Sequence, residues 1–275
     1  MTSAVGPAWL FCPADRPERF EKAAAAADVV ILDLEDGVAA PHRGAARQAL
    51  ADTPLDPART VVRINPAGTP DHAADLEALR STGYTVVMLA KTETAEQVRA
   101  LSPLQVVVLV ETPLGALAVA EAARMENTHA VMWGAEDLFA VTGGTANRWP
   151  DGSYRDVARH VRSQSLLAAK AFGRLALDSV YLDIKDLDGL RAESDDAVAV
   201  GFDAKVAIHP SQVDVIRSAY TPTGDQVDWA RRVLDKARGE RGVFQHEGQM
   251  VDMPVLRRAE RIVALAPWRP DTSAP

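Results

Sequence analysis

The chain has 275 residues, with 30 Lys plus Arg against 38 Asp plus Glu. The resulting formal net charge of −8 argues against nucleic acid or an anionic membrane as the main partner, while leaving room for a local basic pocket. Apolar residues at 47% and charged residues at 25% exclude a disordered chain, and the single cysteine, Cys12, excludes an intrachain disulfide and any multi-cysteine zinc site.

Read in chain order, residues 1–14 carry no basic segment of a secretory leader, and no apolar run approaches the ~18 residues that span a bilayer. A cytoplasmic protein is therefore expected. A first strand at Trp9–Cys12 runs into Pro13-Ala14-Asp15-Arg16, and a helix follows over Pro17–Ala27, its alanine run 23–27 forming one face. A second strand, Val29–Leu34, ends in Glu35-Asp36-Gly37 and leads to a helix at Arg43–Ala51. The third, Val61–Ile64, holds Arg63 and leads into Asn65, with a helix at Ala73–Ser81. Val86–Leu89 is followed by Lys91 and Glu93 and a helix at Thr94–Leu101, and Val106–Val110 by Glu111 and a helix at Gly115–Arg124. Ala130–Trp133 ends in Glu136-Asp137, Val180–Leu182 in Asp183 with a helix at Leu187–Val200, and Val206–Ile208 in His209-Pro210.

Continuous apolar strands alternating with helices signal a parallel sheet covered on its outer face. Eight such units, with no G-x-G-x-x-G after a strand, point to an α/β fold of the (β/α)8 TIM-barrel type, whose usual length is ~250 residues. The repeat stops after the eighth strand. Ser211–Ser218 and Gln226–Arg238 read as helices, Gly242–Pro254 breaks the pattern, Val255–Ala264 reads as a last helix, and Pro267–Pro275 as a frayed tail. The expected division is a catalytic barrel over 1–220 and a C-terminal helical lid over 221–275.

Barrels of this kind carry their active sites at the C-terminal ends of the strands, and nearly every predicted strand ends in an ionisable group. Glu111 and Asp137 close adjacent strands, where two carboxylates with oxygen neighbours suit Mg²⁺. The alternative is a helix N-cap at Asp137 with Glu111 paired to a basic side chain. Arg63 is costly to bury unpaired, so it is paired with a carboxylate such as Glu35, directed at an anion, or both. Arg16, Arg19 and Lys22 cluster at a helix start that favours phosphate; alternatively they form a solvated face behind an Asp15-x-x-Glu18 capping box. His209 precedes a proline and reads as a hydrogen-bonded structural residue. Cys12 reads as a buried small apolar side chain, and Trp133 and Trp229 as packing groups.

The runs Leu10-Phe11-Cys12-Pro13-Ala14-Asp15-Arg16-Pro17, Leu32-Asp33-Leu34-Glu35-Asp36, Val62-Arg63-Ile64-Asn65 and Val110-Glu111-Thr112 resemble the citrate lyase β-subunit-like family. So do Gly134-Ala135-Glu136-Asp137-Leu138, Lys205-Val206-Ala207-Ile208-His209-Pro210-Ser211-Gln212 and Gly248-Gln249-Met250-Val251-Asp252-Met253-Pro254. The family includes malyl-CoA and citramalyl-CoA lyases. The resemblance implies a Mg²⁺-dependent carbon–carbon lyase acting on a short 3-hydroxyacyl-CoA thioester, with coenzyme A as part of the substrate. It implies Glu111 and Asp137 as metal ligands, Arg63 on the thioester carbonyl, Glu35 orienting Arg63 with Asp36 beside it, and Asp252 as an acid from a neighbouring subunit's lid. It places Arg16, Arg19 and Lys22 on the CoA phosphates, with Lys205, His209 and Gln212 bordering the cofactor. A homotrimer or hexamer is implied. Two alternatives share this site: a thioesterase, and a subunit of a citrate lyase-type complex acting on acyl-carrier thioesters. A third is a non-catalytic CoA-binding homologue. Two departures stand out: Ala90 precedes Lys91 where the family usually has proline, and Ala204 precedes Lys205 where it often has glycine.

Overall fold

The computed structural model describes residues 6–240 and 242–266; the tail expected over Pro267–Pro275 lies outside them. Eight parallel strands close into a barrel in sequence order. They are β1 (Ala8–Pro13), β2 (Val29–Asp33), β3 (Thr60–Ile64), β4 (Val86–Leu89), β5 (Gln105–Val110), β6 (Thr128–Trp133), β7 (Leu175–Asp178) and β8 (Ala204–Ala207). The helices on the outside are α1 (Phe20–Ala26), α2 (Arg43–Asp52), α3 (Pro70–Leu79), α4 (Ala95–Arg99), α5 (Pro113–Arg124), α6 (Ala135–Thr142), α7 (Asp156–Ala171), α8 (Leu187–Val200) and α9 (Val213–Tyr220). Several start where the sequence supplies a cap. Thr69 accepts from the His72 amide, Thr94 and Gln97 cap each other's backbone, and Thr112 accepts from Gly115 with Pro113 at the first helical position.

Strand periodicity sorts every barrel side chain into one of two environments. Alternate residues point to opposite faces, and the barrel interior is filled by Trp9, Val29, Ile31, Val61, Met88, Val107, Leu109, Ala130, Met132, Leu177, Ala204 and Val206. Continuing the same parity to the C-terminal rim puts Asp33, Arg63, Glu111 and Gly134 on the inner face of the mouth. The opposite parity puts Val108, Trp133, Asp178 and Lys205 between the strands and the helices.

The seventh strand is the one misplaced in the sequence reading. Val180–Leu182 looks more strand-like, yet the chain pairs Leu175–Asp178 with β6 and β8. A parallel barrel strand needs burial on both faces. Leu182 is 53% exposed, whereas Asp178 is buried against Lys205, Arg162 and the Trp133 indole. Those partners let a carboxylate end a core strand, so Asp183 lies in the following loop and closes no strand.

The described residues divide into two compact units, the first ending at Arg217 and the second beginning at Ser218. The second contains α10 (Gly224–Ala237), a hairpin of β9 (Phe244–His246) and β10 (Gln249–Val251), and α11 (Met253–Leu265). Its core joins Ala230, Val233, Phe244, Val251 and Ala259. The hairpin fills the stretch that breaks the helical pattern; both residues of its two-residue loop, Glu247 and Gly248, have positive φ, as a primed turn requires. Asp252 is the N-cap of α11, its side chain accepting from the Val255 amide at 3.4 Å. Among the described residues no helix is long and apolar enough to cross a membrane.

Candidate active site

Arg63 is the best-held cation at the mouth. Its Nε and Nη2 donate to the two oxygens of Asp33, both at 2.6 Å, and its Nη1 lies 3.2 Å from Glu35 Oε2. Asp33 and Arg63 are register partners on β2 and β3, so the bidentate pair follows from the sheet itself. Asp33 also accepts from the Glu35 and Gly37 amides, and a Cβ on Gly37 would stand 2.3 Å from Asp33 Oδ2. The turn after β2 is thus wrapped around one carboxylate. Phe11 lies under the guanidinium, its ring centroid 4.7 Å from Cζ. Burial opposes the charge on Arg63, but Asp33 and Glu35 more than offset it and hold the guanidinium above its ordinary range. Glu35 is buried and its carboxyl is raised, burial outweighing Arg63 and Lys91.

Opposite this clamp stand Glu111, at the end of β5, and Asp137, in the first turn of α6. Gly134 caps α6, which removes the N-cap alternative for Asp137. Glu111 Oε1 accepts from the Lys91 amide at 2.8 Å, and its Oε2 has no hydrogen-bond partner among the described residues. Burial, reinforced by the nearby charge of Asp137, pushes the Glu111 carboxyl up to about 8. A Cβ on Gly134 would come within 2.9 Å of Glu111 Oε2, so this cradle exists only because glycine follows β6. Two oxygen donors, one buried and short of positive charge and one open to solvent, fit a divalent ion that keeps several waters and binds substrate oxygens. Among the described residues no group of three or more His, Cys, Asp or Glu could hold a metal ion by itself. Lys91 crosses the space between the halves, with Nζ hydrogen-bonded to Glu35, 3.2 Å from Asp36 and 3.6 Å from Asp137. Asp36 itself is exposed.

The remaining candidates separate into open and closed groups. Arg16, Arg19 and Lys22 are all exposed just beyond β1, and the proposed Asp15 capping box does not form, because Arg16 holds the cap position without a side-chain bond. His209 is exposed, with Nδ1 2.8 Å from Ser211 Oγ. Lys205 and Gln212, expected to border the cofactor, are instead fully buried. Lys205 sits on the outward parity of β8, where Nζ donates to Asp178 at 3.1 Å, the Ser179 carbonyl at 2.8 Å and Glu193 at 2.8 Å. Gln212 accepts from the Ile208 and His209 amides and donates to the Tyr181 carbonyl, bracing the loop that carries His209. Asn65 is likewise closed off by Asp75. A cavity of about 690 Å³ lies along α7 and α8, away from the carboxylates. Arg148, Arg162 and Tyr181 in its wall already pair with Glu193, Asp196 and Asp186, so the rim of the barrel has the more reactive chemistry.

The model of the HpcH/HpaI aldolase/citrate lyase family matches residues 8–210. The chain belongs to that family. It is 64% identical over 263 residues to the citrate lyase subunit beta-like protein of Mycobacterium tuberculosis, covering 96% of each chain. It is 33% identical to the mitochondrial citramalyl-CoA lyase of Mus musculus, covering 87% of this chain and 79% of the relative. Among solved structures it resembles CitE from M. tuberculosis in complex with magnesium, acetoacetate and coenzyme A, with a TM-score of 0.93, 64% identity, and coverage of 96% of this chain and 98% of that one.

For a member of the HpcH/HpaI family, three site residues escape a reading that looks only beyond strand ends: Asp33, Gly134 and the full role of Lys91. Asp33 had a signal. An acid inside the apolar run Val29–Leu34, at the parity that faces Arg63 on the next strand, requires an in-sheet cation. Gly134 had none, since its role depends on which neighbouring side chain fills the space.

Proposed function

We propose that this protein is a Mg²⁺-dependent carbon–carbon lyase that cleaves, or forms, a short 3-hydroxyacyl-CoA thioester of the malyl- or citramalyl-CoA kind. The observation that carries the reading is the opposition, across one barrel mouth, of a buried carboxylate short of positive charge and a guanidinium fixed on two sides. Relatives named as lyases of citramalyl-CoA, and a neighbour solved with magnesium and coenzyme A, support it. Glu111 and Asp137 would hold Mg²⁺, which supplies Lewis acidity towards the hydroxyl and carboxylate oxygens of the substrate. Arg63, clamped by Asp33 and braced by Glu35, presents its remaining N–H groups to the thioester oxygen. A base takes the proton of the 3-hydroxyl, whose O–H pair becomes the new carbonyl. The C2–C3 bond breaks, and its electron pair moves into an enolate whose oxygen Arg63 stabilises. Protonation of the enolate carbon yields an acyl-CoA, beside a keto acid or, from malyl-CoA, an aldehyde acid.

Asp252, held at the start of α11, serves as that base from a neighbouring subunit in a cytoplasmic homotrimer or hexamer. Arg16, Arg19 and Lys22 receive the CoA phosphates at the start of α1, with His209 on the rim beside them. The deciding experiment incubates the protein with a panel of 3-hydroxyacyl-CoA thioesters and Mg²⁺ and reads both products by mass spectrometry. A keto acid or aldehyde acid with acyl-CoA is expected. Free hydroxy acid with CoA thiol would instead mark a thioesterase, and activity confined to acyl-carrier thioesters a complex subunit.

A further inference from the structure

Lys91 occupies a position that the chemistry above does not use. It follows β4 in the left-handed region, with φ +49°, which residues with a side chain adopt only when their surroundings enforce it. The flanking backbone is pinned on both sides. The Ala90 amide donates to the Ile64 carbonyl, the Thr92 amide to the Leu109 carbonyl, and Thr92 Oγ1 to the Leu89 carbonyl. This turn lets one residue reach both halves of the site. The main-chain N–H goes to Glu111 Oε1, while the ammonium spans the mouth to Glu35, Asp36 and Asp137. Burial opposes its charge, but Glu35 and the other carboxylates hold it protonated well above the ordinary lysine range.

Of its three acidic neighbours, Asp137 is the most distant at 3.6 Å, an ion pair without a close hydrogen bond. Asp137 is also one of the two residues offered to a metal. Resting on the metal reading, we propose that Lys91 is a built-in counter-cation that competes with the divalent ion for Asp137, and so sets metal affinity while holding Glu35 in place. Without metal the ammonium shares Asp137; with metal it withdraws to Glu35 and Asp36. Even after withdrawal, an ammonium about 6 Å from a divalent ion weakens its binding by about tenfold at the dielectric constant of water. A lysine that only supported the fold would have the opposite effect, since its removal would disorder the site and weaken the metal.

The test is Mn²⁺ binding to the full chain, measured by titration calorimetry on the wild type, Lys91→Met and Lys91→Arg. Lys91→Met is expected to bind Mn²⁺ at least tenfold more tightly, and Lys91→Arg within about threefold of wild type. Unchanged or weaker binding by Lys91→Met with a wild-type circular dichroism spectrum overturns the proposal. Should that variant not fold, Lys91→Gln is judged by the same criterion. Glu111→Gln and Asp137→Asn separate the two levels. Wild-type Mn²⁺ binding that survives both would defeat the metal reading itself. Binding that they abolish and Lys91→Met leaves unchanged would defeat only the role of Lys91.

Discussion

Replacing Lys205 by methionine separates a structural lysine from a cofactor ligand. The ammonium is fully buried and makes three hydrogen bonds, to Asp178, the Ser179 carbonyl and Glu193. Methionine fills similar volume and removes the charge. Asp178 keeps Arg162 and the Trp133 indole, and Glu193 keeps Arg148, while the Ser179 carbonyl loses this donor. Breaking one side of a buried ion pair costs about 3–5 kcal/mol, and the remaining partners place this case near the lower end. Against a typical stability of about 5–15 kcal/mol that is a large loss, equivalent to a fall of about 6–12 °C in Tm for a chain of this size. The acid limb should move as well. The Lys205 charge opposes the burial penalty and, with Arg162, holds the Asp178 carboxyl at about 2, below its ordinary 3.8. Its contribution is therefore present above about pH 4 and lost as pH falls through about 2, and without Lys205 that loss should begin at higher pH. Thermal melts and acid titrations by circular dichroism measure both effects, and KM for the acyl-CoA, taken well below the melting range, should stay within about twofold of wild type. A Tm change under about 2 °C combined with a severalfold rise in KM would refute the structural assignment and return Lys205 to the cofactor.

Arg63→Lys removes the fork that matches Asp33, and kcat should fall by about 100-fold or more with the fold retained by circular dichroism; near wild-type turnover would contradict the proposed enolate contact. Gly134→Ala places a methyl carbon 2.9 Å from Glu111 Oε2, so calorimetry should show Mn²⁺ affinity at least about tenfold weaker, with Tm changed by only a few degrees. Metal-free protein should lose stability as pH rises from about 4.5 to about 8. Burial keeps a proton on Glu111 in the folded chain through that range, whereas the unfolded chain releases it near 4.5. Mg²⁺ replaces that proton, so the Tm increment it gives should be larger at about pH 8 than at about pH 6, and equal increments would argue against Glu111 as a ligand.

The sequence reading and the structure part company where parity and three-dimensional pairing matter. Seven of the strands could be found because a parallel barrel buries both faces of each, which makes them continuous apolar runs; β7 was hidden because Asp178 resembles a turn residue until its buried cations are known. Glu111 and Asp137 could be identified as candidates because they follow adjacent strands, and Arg63 because a strand-borne guanidinium demands an acid. The pairing of Arg63 with Glu35 is present, but Asp33 is the stronger partner. Glu35 lies two residues beyond Asp33, and both occupy the inward parity, but Asp33 is the register partner of Arg63 and takes its paired N–H groups, leaving Glu35 an ion pair with Nη1 and a hydrogen bond from Lys91. The same parity argument, applied to β8, turns Lys205 away from the barrel interior, since Ala204 and Val206 fill that interior and the residue between them must face α8. Motif position says which residues lie near a site. Strand parity decides which of them can reach it, and in this barrel it assigns two lysines of similar sequence context to opposite tasks: Lys205 to the wall, and Lys91, turned inward by its left-handed backbone, to the mouth.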